Sequence, residues 1–131
     1  MADPLVEEAT RRSGVVWLQR SGRTSPVWQL WHDGAAHLVV DGGEQPLADV
    51  RGGDRVLVVV RSKERQADRV VQWPAEVTEV APGSAAWQVL APLLAARRLN
   101  ALDGDAQPDR WARESRVLSL VPTGGTEPVS R

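Results

Sequence analysis

The sequence has no cysteine, no phenylalanine and no tyrosine, and it has only two histidines. Without cysteine there is no disulfide, no thiolate metal ligand and no thiol nucleophile. Without tyrosine, no phenol can act as a general acid, and the six tryptophans supply all of the aromatic packing. Two histidines are too few for most zinc sites, so we expect no metal.

An excess of charge of either sign is also missing. Sixteen Lys or Arg residues face seventeen Asp or Glu residues, which gives a net charge of -1. A chain of this balance has no field that would gather nucleic acid or an anionic membrane. The apolar runs are far shorter than a membrane span, and residues 1–12 lack the apolar stretch of a signal peptide. We therefore expect a soluble cytoplasmic protein with no nucleic-acid partner and no membrane partner.

A length of 131 residues is enough for one hydrophobic core, and we expect one domain. Asp3 and Pro4 are typical of a helix start, and Gly14 ends that helix, which predicts an N-terminal helix within residues 1–13. The body follows over residues 14–121. The Gly, Pro, Thr and Ser content of residues 122–131 predicts a loose tail.

The body is predicted to be mainly β, with six strands. Alternating or continuous apolar residues place them at 15–20, 27–32, 36–40, 55–61, 69–80 and 116–121. Asp33-Gly34 is a strong signal for a two-residue hairpin, and Pro46 could open a helical turn over 46–50. Ser84 caps the clearest helix, predicted over 84–99, whose apolar face would hold Trp87, Val89, Leu90, Leu93 and Leu94. Pro74 should mark a bulge or an edge position.

This order of elements, together with Ser25-Pro26-Val27-Trp28 and Asp54-Arg55-Val56, resembles the pyridoxamine 5'-phosphate oxidase-like family of FMN-binding split barrels. The resemblance covers roughly residues 14–121. It implies a six-stranded antiparallel split barrel with helices, a homodimer, and a flavin bound at the subunit interface. The flavin would be FMN or the related deazaflavin.

The resemblance also implies a set of cofactor-binding residues. Ser25, Val27 and Trp28 would face the flavin ring, and Val39 and Val40 would line the ribityl chain. Residues 44–46 would meet the phosphate, but family members usually have Thr or Ser followed by Arg-Lys there. This chain has Glu44, Gln45 and Pro46, so a carboxylate would repel the phosphate and one backbone N–H is missing.

The phosphate anchor is therefore interpreted as degenerate. Gln45 could still contribute, and arginines that flank the neighbouring turns could form a relocated grip, namely Arg20, Arg23, Arg51 and Arg55. Because residues 44–46 read as a surface loop, replacing them with Thr, Arg and Lys is expected to tighten FMN binding with little effect on folding.

Two functions follow from these residues. The first is an oxidoreductase that transfers hydride between the flavin or deazaflavin and a small organic substrate, in which the cofactor carries the chemistry and no catalytic side chain is identified. The alternative is a non-catalytic relative that binds another planar ligand, such as a haem, or a protein partner. His32 and His37 flank Asp33 at the hairpin and are interpreted as a solvated turn instead of a metal or acid-base site.

Overall fold

The computed structural model describes residues 4–42, 44–64, 67–97, 107–123 and 127–128. Helix α1 spans Pro4–Arg11 and is followed by β1 (Val15–Arg20), β2 (Arg23–Trp28), β3 (Leu30–His32) and β4 (Ala35–Val40). The chain continues through β5 (Arg55–Glu64), β6 (Ala67–Val80), α2 (Ala85–Arg97), α3 (Gln107–Glu114), β7 (Arg116–Pro122) and β8 (Glu127–Pro128). No helix in these ranges is long and apolar enough to cross a membrane.

The strands form one curled antiparallel sheet in the order β2-β1-β5-β6-β7-β4-β3, with β8 paired to β6. Strands β2 and β3 stand at the two ends of this order, although only Gln29 separates them in the sequence. The two are therefore halves of one bent strand that joins both ends of the sheet and curls it into a barrel. Counted this way, β1 to β7 make six strands, as the sequence predicts, and the predicted strand 27–32 is corrected to two strands around a bend.

The bend at Gln29 is held by the C-terminal end of α1. The side chain of Gln29 is fully buried, and its Nε2 donates to the carbonyl oxygens of Thr10 at 2.9 Å and Ser13 at 2.6 Å. Its backbone N–H donates to the carbonyl of Gly14. Carbonyls at the end of a helix lack partners within the helix, so one side chain both caps α1 and fixes the turn of the strand.

Both tight hairpins adopt the conformation that their sequences demand. In the turn between β3 and β4, Asp33 has φ 51° and Gly34 has φ 81°, and the turn between β1 and β2 has φ 41° at Ser21 and 75° at Gly22. Two consecutive residues with positive φ suit the right-handed twist of the strands they connect. The hairpin predicted from Asp33-Gly34 is confirmed.

Two hydrophobic clusters share the sheet. The first fills the barrel and includes Leu18, Val58 and Leu118, with Trp31 and Trp73 packed edge to face at 5.8 Å between ring centroids. The second lies where α2 and α3 cover the other face of β4 and β7, and includes Val39, Trp87, Leu94, Trp111 and Val117. Strand β4 contributes to both clusters, so each of its six residues is buried.

Helix α2 lies where it is predicted, but only part of its predicted apolar face is buried. Ser84 caps it, because the backbone N–H of Trp87 donates to Ser84 Oγ at 3.2 Å. Trp87, Leu90 and Leu94 pack inward, whereas Val89 and Leu93 remain 52% and 39% exposed. The single apolar face expected from the sequence is therefore corrected, because residues at 100° steps around this almost uncharged helix point in all directions.

Three smaller predictions are also corrected. Residues 46–50 form turns and no helix, with one turn closed by the N–H of Val50 on the carbonyl of Leu47. The register of β5 with β6 runs without a shift through Pro74, so of the two predicted alternatives the bulge is absent, while Pro74 lies just beyond Ala75, where the pairing of β6 with β7 ends. In the predicted tail, Pro122 closes β7 and residues 127–128 pair with β6, while residues 124–126 and 129–131 lie outside the described residues.

Candidate functional site

Glu44 lies in the loop after β4, at the position where the family resemblance places the cofactor phosphate. Its side chain is fully buried and its carboxylate Oε2 accepts hydrogen bonds from Arg110 Nη2 at 2.9 Å and from Trp111 Nε1 at 3.1 Å. Both donors belong to α3. A charged group is stable in such a place only when it is paired and hydrogen-bonded, so this carboxylate holds α3 against the loop.

Gln45 is committed to the same kind of internal bond. Its Oε1 accepts the backbone N–H of Trp28 at 2.6 Å, and its Nε2 donates to the carbonyls of Trp28 at 3.1 Å and Val39 at 3.3 Å. The carboxamide thus bridges the edge of β2 to β4. The two backbone polar groups of Trp28 on this edge are occupied by the protein itself.

Arg116 secures the remainder of the loop. Its guanidinium donates to Asp41 Oδ2 at 2.8 Å and to the carbonyls of Leu47 and Val50, each at 2.9 Å. Gly42 makes the same loop possible, because it has φ 59° and a Cβ at that position would overlap the backbone carbonyl of Glu114. Only glycine combines this conformation with so close an approach.

These contacts correct the expectation that residues 44–46 can be exchanged with little effect on folding. Glu44 and Gln45 carry the internal bonds of a closed loop, and a Thr and an Arg in their places would leave Trp111 Nε1 and the edge of β2 without their acceptors. The sequence could not reveal this, because Arg110 and Trp111 lie 66 and 67 positions away from Glu44.

The residues predicted to face the flavin occupy different environments. Val27 is buried in the barrel cluster, and Trp28 is half-buried against the cluster under α2. Val39 and Val40 are both fully buried, one in each cluster. The side chains of Val39 and Val40 are therefore closed to solvent in the single chain, and the ligand contacts of all four residues stay predictions.

Arg20, the last residue of β1, is held by hydrogen bonds to two neighbouring segments. Its Nε and Nη2 donate to the two oxygens of Asp49 at 2.9 and 3.1 Å, and its Nη1 donates to Ser25 Oγ at 3.0 Å. This bidentate hydrogen bond lowers the pKa of Asp49 from its ordinary value. Ser25 is thus tied to an arginine at the rim of the barrel.

A cleft of about 320 Å³ opens at this rim. Its lining includes Arg20, Arg23, Arg55, Asp49 and Asp54. The Arg23 side chain is 67% exposed, with Nη1 at 3.6 Å from Asp49 Oδ1. Three of the four arginines proposed from the sequence as a relocated grip meet here. The fourth, Arg51, is exposed and lies beside the cleft, where its backbone N–H donates to Asp54.

The two histidines do not form a solvated pair. His37 is 6% exposed, its Nδ1 lies 2.8 Å from Ser119 Oγ and its Nε2 lies 2.9 Å from the carbonyl of His32. Burial of the ring lowers the pKa of His37. The interpretation of His37 as part of a solvated turn is therefore wrong. In the part of the chain that the structure describes, no group of three His, Asp or Glu side chains could hold a metal ion.

Sequence reasoning missed Trp17. It lies on the outer face of β1, is 36% exposed, and lines a groove of about 230 Å³ with Gln19, Thr24, Val59 and Arg61. The signal was present in the alternation of β1, whose odd positions Val15, Trp17 and Gln19 are all exposed. An antiparallel sheet usually presents polar side chains on its solvated face, so an exposed indole there makes this face a candidate binding surface.

No protein-family model and no curated protein matches the sequence. Solved structures do match over nearly the whole chain. The heme storage protein HutZ from Vibrio cholerae is 14% identical with a TM-score of 0.65, over 98% of this chain and 95% of that one. An FAD-binding protein from Mesorhizobium loti is 15% identical with a TM-score of 0.59, over 93% and 91% of the two chains.

A putative pyridoxamine 5'-phosphate oxidase from Corynebacterium glutamicum is 15% identical with a TM-score of 0.54, over 95% of this chain and 86% of that one. At these identities the likeness is one of fold. The curled antiparallel sheet, the bent strand that joins its ends and the covering helices agree with that likeness. The chain therefore has the split-barrel fold of the flavin-binding and pyridoxamine 5'-phosphate oxidase-like proteins.

Proposed function

We propose that this chain binds a flavin cofactor, FMN or the deazaflavin, and acts as an oxidoreductase on a small organic substrate. We further propose that the cofactor phosphate is held at the arginine cleft, lined by Arg20, Arg23 and Arg55, instead of at residues 44–46. The observation that carries this proposal is the cleft itself, in a fold shared with flavin-binding proteins.

The cleft is lined by three arginines and by two carboxylates, Asp49 and Asp54, so it carries an excess of one positive charge. Asp49 already receives two hydrogen bonds from Arg20, so much of its charge is compensated inside the protein. Arg23 reaches Asp49 only at 3.6 Å, and Arg55 forms no ion pair within the described residues. Each charge-assisted hydrogen bond to a phosphate contributes about 1.5–3 kcal/mol, so one bond from Arg55 and one from Arg23, which is paired with Asp49 only at 3.6 Å, would together hold the phosphate.

The bound flavin would supply hydride transfer, and the protein would supply binding and orientation. Ser25 and Arg20 would support the cofactor at the rim, and Arg23 and Arg55 would hold its phosphate. Arg51, whose backbone N–H donates to Asp54 of the cleft, would add positive charge beside it. No side chain is assigned a catalytic role, because the chemistry of this proposal resides in the cofactor.

The test compares FMN with riboflavin, which lacks the phosphate. Quenching of the six tryptophans reports binding, and the absorbance of the protein as purified reports any carried flavin. We expect micromolar affinity for FMN and about a hundredfold weaker binding of riboflavin, since one charged hydrogen bond from Arg23 and one from Arg55 are together worth about 3 kcal/mol. Arg23→Gln removes one of these bonds and should weaken FMN binding about tenfold, whereas Arg113→Gln on the exposed side of α3 should leave it unchanged. Equal affinity for the two flavins would refute the cleft, and no binding of either would refute the cofactor.

A second candidate is a non-catalytic protein that binds another planar ligand. The closed loop favours it, because Glu44 and Gln45 are both engaged in internal bonds where the resemblance expects a phosphate. The likeness to a heme storage protein makes haem the ligand to try first. A titration with haem should give a saturable change in its visible absorbance, in protein that shows no response to FMN or to the deazaflavin.

We also propose that the chain is a homodimer that buries the outer face of α2. Val89 and Leu93 are exposed there beside Ala85, Pro92 and Ala96, and no charged side chain occurs between residues 82 and 96. A helix that is apolar all round is normally covered. Light scattering should give a dimer for the wild type and for Val15→Glu, which places a charge at an exposed apolar position of β1 outside this face, and a monomer for Leu93→Glu. A dimer that survives Leu93→Glu would exclude this face.

A further inference from the structure

We infer that the groove beside Trp17, on the outer face of β1, β2 and β5, is a second ligand site that takes a flat aromatic carboxylate. This inference goes beyond the flavin proposal and does not depend on it. The groove is lined by Trp17, Gln19, Thr24, Val59 and Arg61, and encloses about 230 Å³. Its apolar wall, its cation and its polar end each contribute a separate part of the recognition.

The apolar wall is an indole that the fold leaves open. Trp17 is 36% exposed, whereas Trp31, Trp73, Trp87 and Trp111 are each at most 8% exposed. Its register partners are Val59 on β5 and Pro26 on β2, so aliphatic groups flank the ring on both sides. A flat aromatic ring placed over this surface would stack on the indole and remove apolar area from water.

The cation is Arg61. It belongs to the same outward-facing row of β5 as Val59, because the even positions 56, 58 and 60 point into the barrel core. Arg61 makes no ion pair with any residue of the described ranges, unlike Arg20, Arg110 and Arg116. An unpaired guanidinium at the rim of an aromatic surface is a bidentate donor for a carboxylate.

The opposite end is polar but uncharged. Gln19 and Thr24 are register partners on β1 and β2, two residues along the strands from the Trp17 and Pro26 pair. Their amide and hydroxyl groups can donate to or accept from a ring substituent. Because the row of Arg61 and the row of Thr24 are about 13 Å apart along the strands, side chains from both ends can reach one ring between them.

The test uses benzoate and its neutral isostere benzamide, followed by the six indole N–H signals in NMR spectra of the full chain. Trp17→Leu assigns the Trp17 signal. We expect benzoate to shift this signal with a dissociation constant of about 1 mM, as suits a ligand of nine heavy atoms, and benzamide to bind at least fivefold more weakly. Arg61→Gln should weaken benzoate about tenfold and remove the difference between the two ligands.

Arg113→Gln is the matched control, since it removes an exposed arginine from α3 and should leave both affinities unchanged. Arg61→Gln should also leave FMN affinity unchanged, which separates this site from the arginine cleft. Three results would overturn the inference: no saturable shift of Trp17 by benzoate, equal binding of benzamide by the wild type, or loss of FMN binding in Arg61→Gln.

Discussion

Removing the carboxylate of Glu44 should destabilise the fold far more than removing an exposed one. The buried Oε2 of Glu44 accepts from Arg110 at 2.9 Å and from Trp111 at 3.1 Å. Breaking a buried ion pair by deleting one partner costs about 3–5 kcal/mol, and an unsatisfied buried indole N–H costs about 1–3 kcal/mol. Arg110 is 21% exposed and also donates to the carbonyl of Gly42, which relieves part of the cost. We expect Glu44→Ala to lower the free energy of unfolding by about 3 kcal/mol.

Urea denaturation followed by tryptophan fluorescence measures this change. With a slope of about 2 kcal/mol per molar urea, the midpoint should fall by about 1.5 M. Glu8→Ala is the control, because Glu8 is 71% exposed and meets Arg12 only at 3.5 Å, so its midpoint should hardly move. The double variant Glu44→Leu with Arg110→Leu should recover part of the loss, since no uncompensated charge remains. Equal midpoints for Glu44→Ala and Glu8→Ala would refute the argument that this carboxylate holds α3.

Two further predictions concern Gly42, which lies in the same loop as Glu44, and the buried side chain of His37. Gly42→Ala should destabilise the protein by more than about 2 kcal/mol, because φ is positive there and the new Cβ meets the carbonyl of Glu114. Gly22→Ala is the control and should cost only about 1 kcal/mol, because Gly22 has φ 75° but open space around it. Equal urea midpoints for the two variants would contradict this prediction. For His37, the folded pKa lies below the unfolded value of about 6.5, so stability is complete above that pH and is lost as the pH falls from there towards the folded pKa. Urea midpoints at pH 7.5 and 5.5 should therefore differ more in the wild type than in His37→Gln, and an equal loss in both would assign the pH dependence to other groups.

Local signals in the sequence were sufficient for much of the fold. Apolar alternation located β1, the hairpin signal at Asp33 and Gly34 located β4 to within one residue, and the cap at Ser84 follows from short-range capping chemistry. The bend at Gln29 was missed, because its cause is a contact with the end of α1 that no local pattern records. Local patterns in the sequence do not show which strands of a barrel pair with each other. The family resemblance predicted a split barrel, and the observed strand order confirms that fold.

The site was less predictable than the fold. The arginines around Asp49 could be proposed because they flank neighbouring turns, and the structure brings three of them to one cleft. The burial of Glu44 depended on α3, whose contribution comes from more than sixty residues later. Residue type gave the wrong expectation there, since a loop carboxylate is exposed in most proteins and is buried here only because Arg110 and Trp111 compensate it.

The internal use of Gln45 also protects the protein against self-association through its sheet. On β2, the backbone N–H groups of residues 24, 26 and 28 point away from β1, because those of the alternate positions, such as Gln29, point towards it. Pro26 has no N–H, and the N–H of Trp28 is bound by Gln45. Of these three positions, only Thr24 can offer a donor to a foreign strand. On the strand edge where the barrel is split, Pro26 and the carboxamide of Gln45 therefore remove two of the three hydrogen-bond donors. A further strand cannot pair fully with this edge, which blocks one route to aggregation.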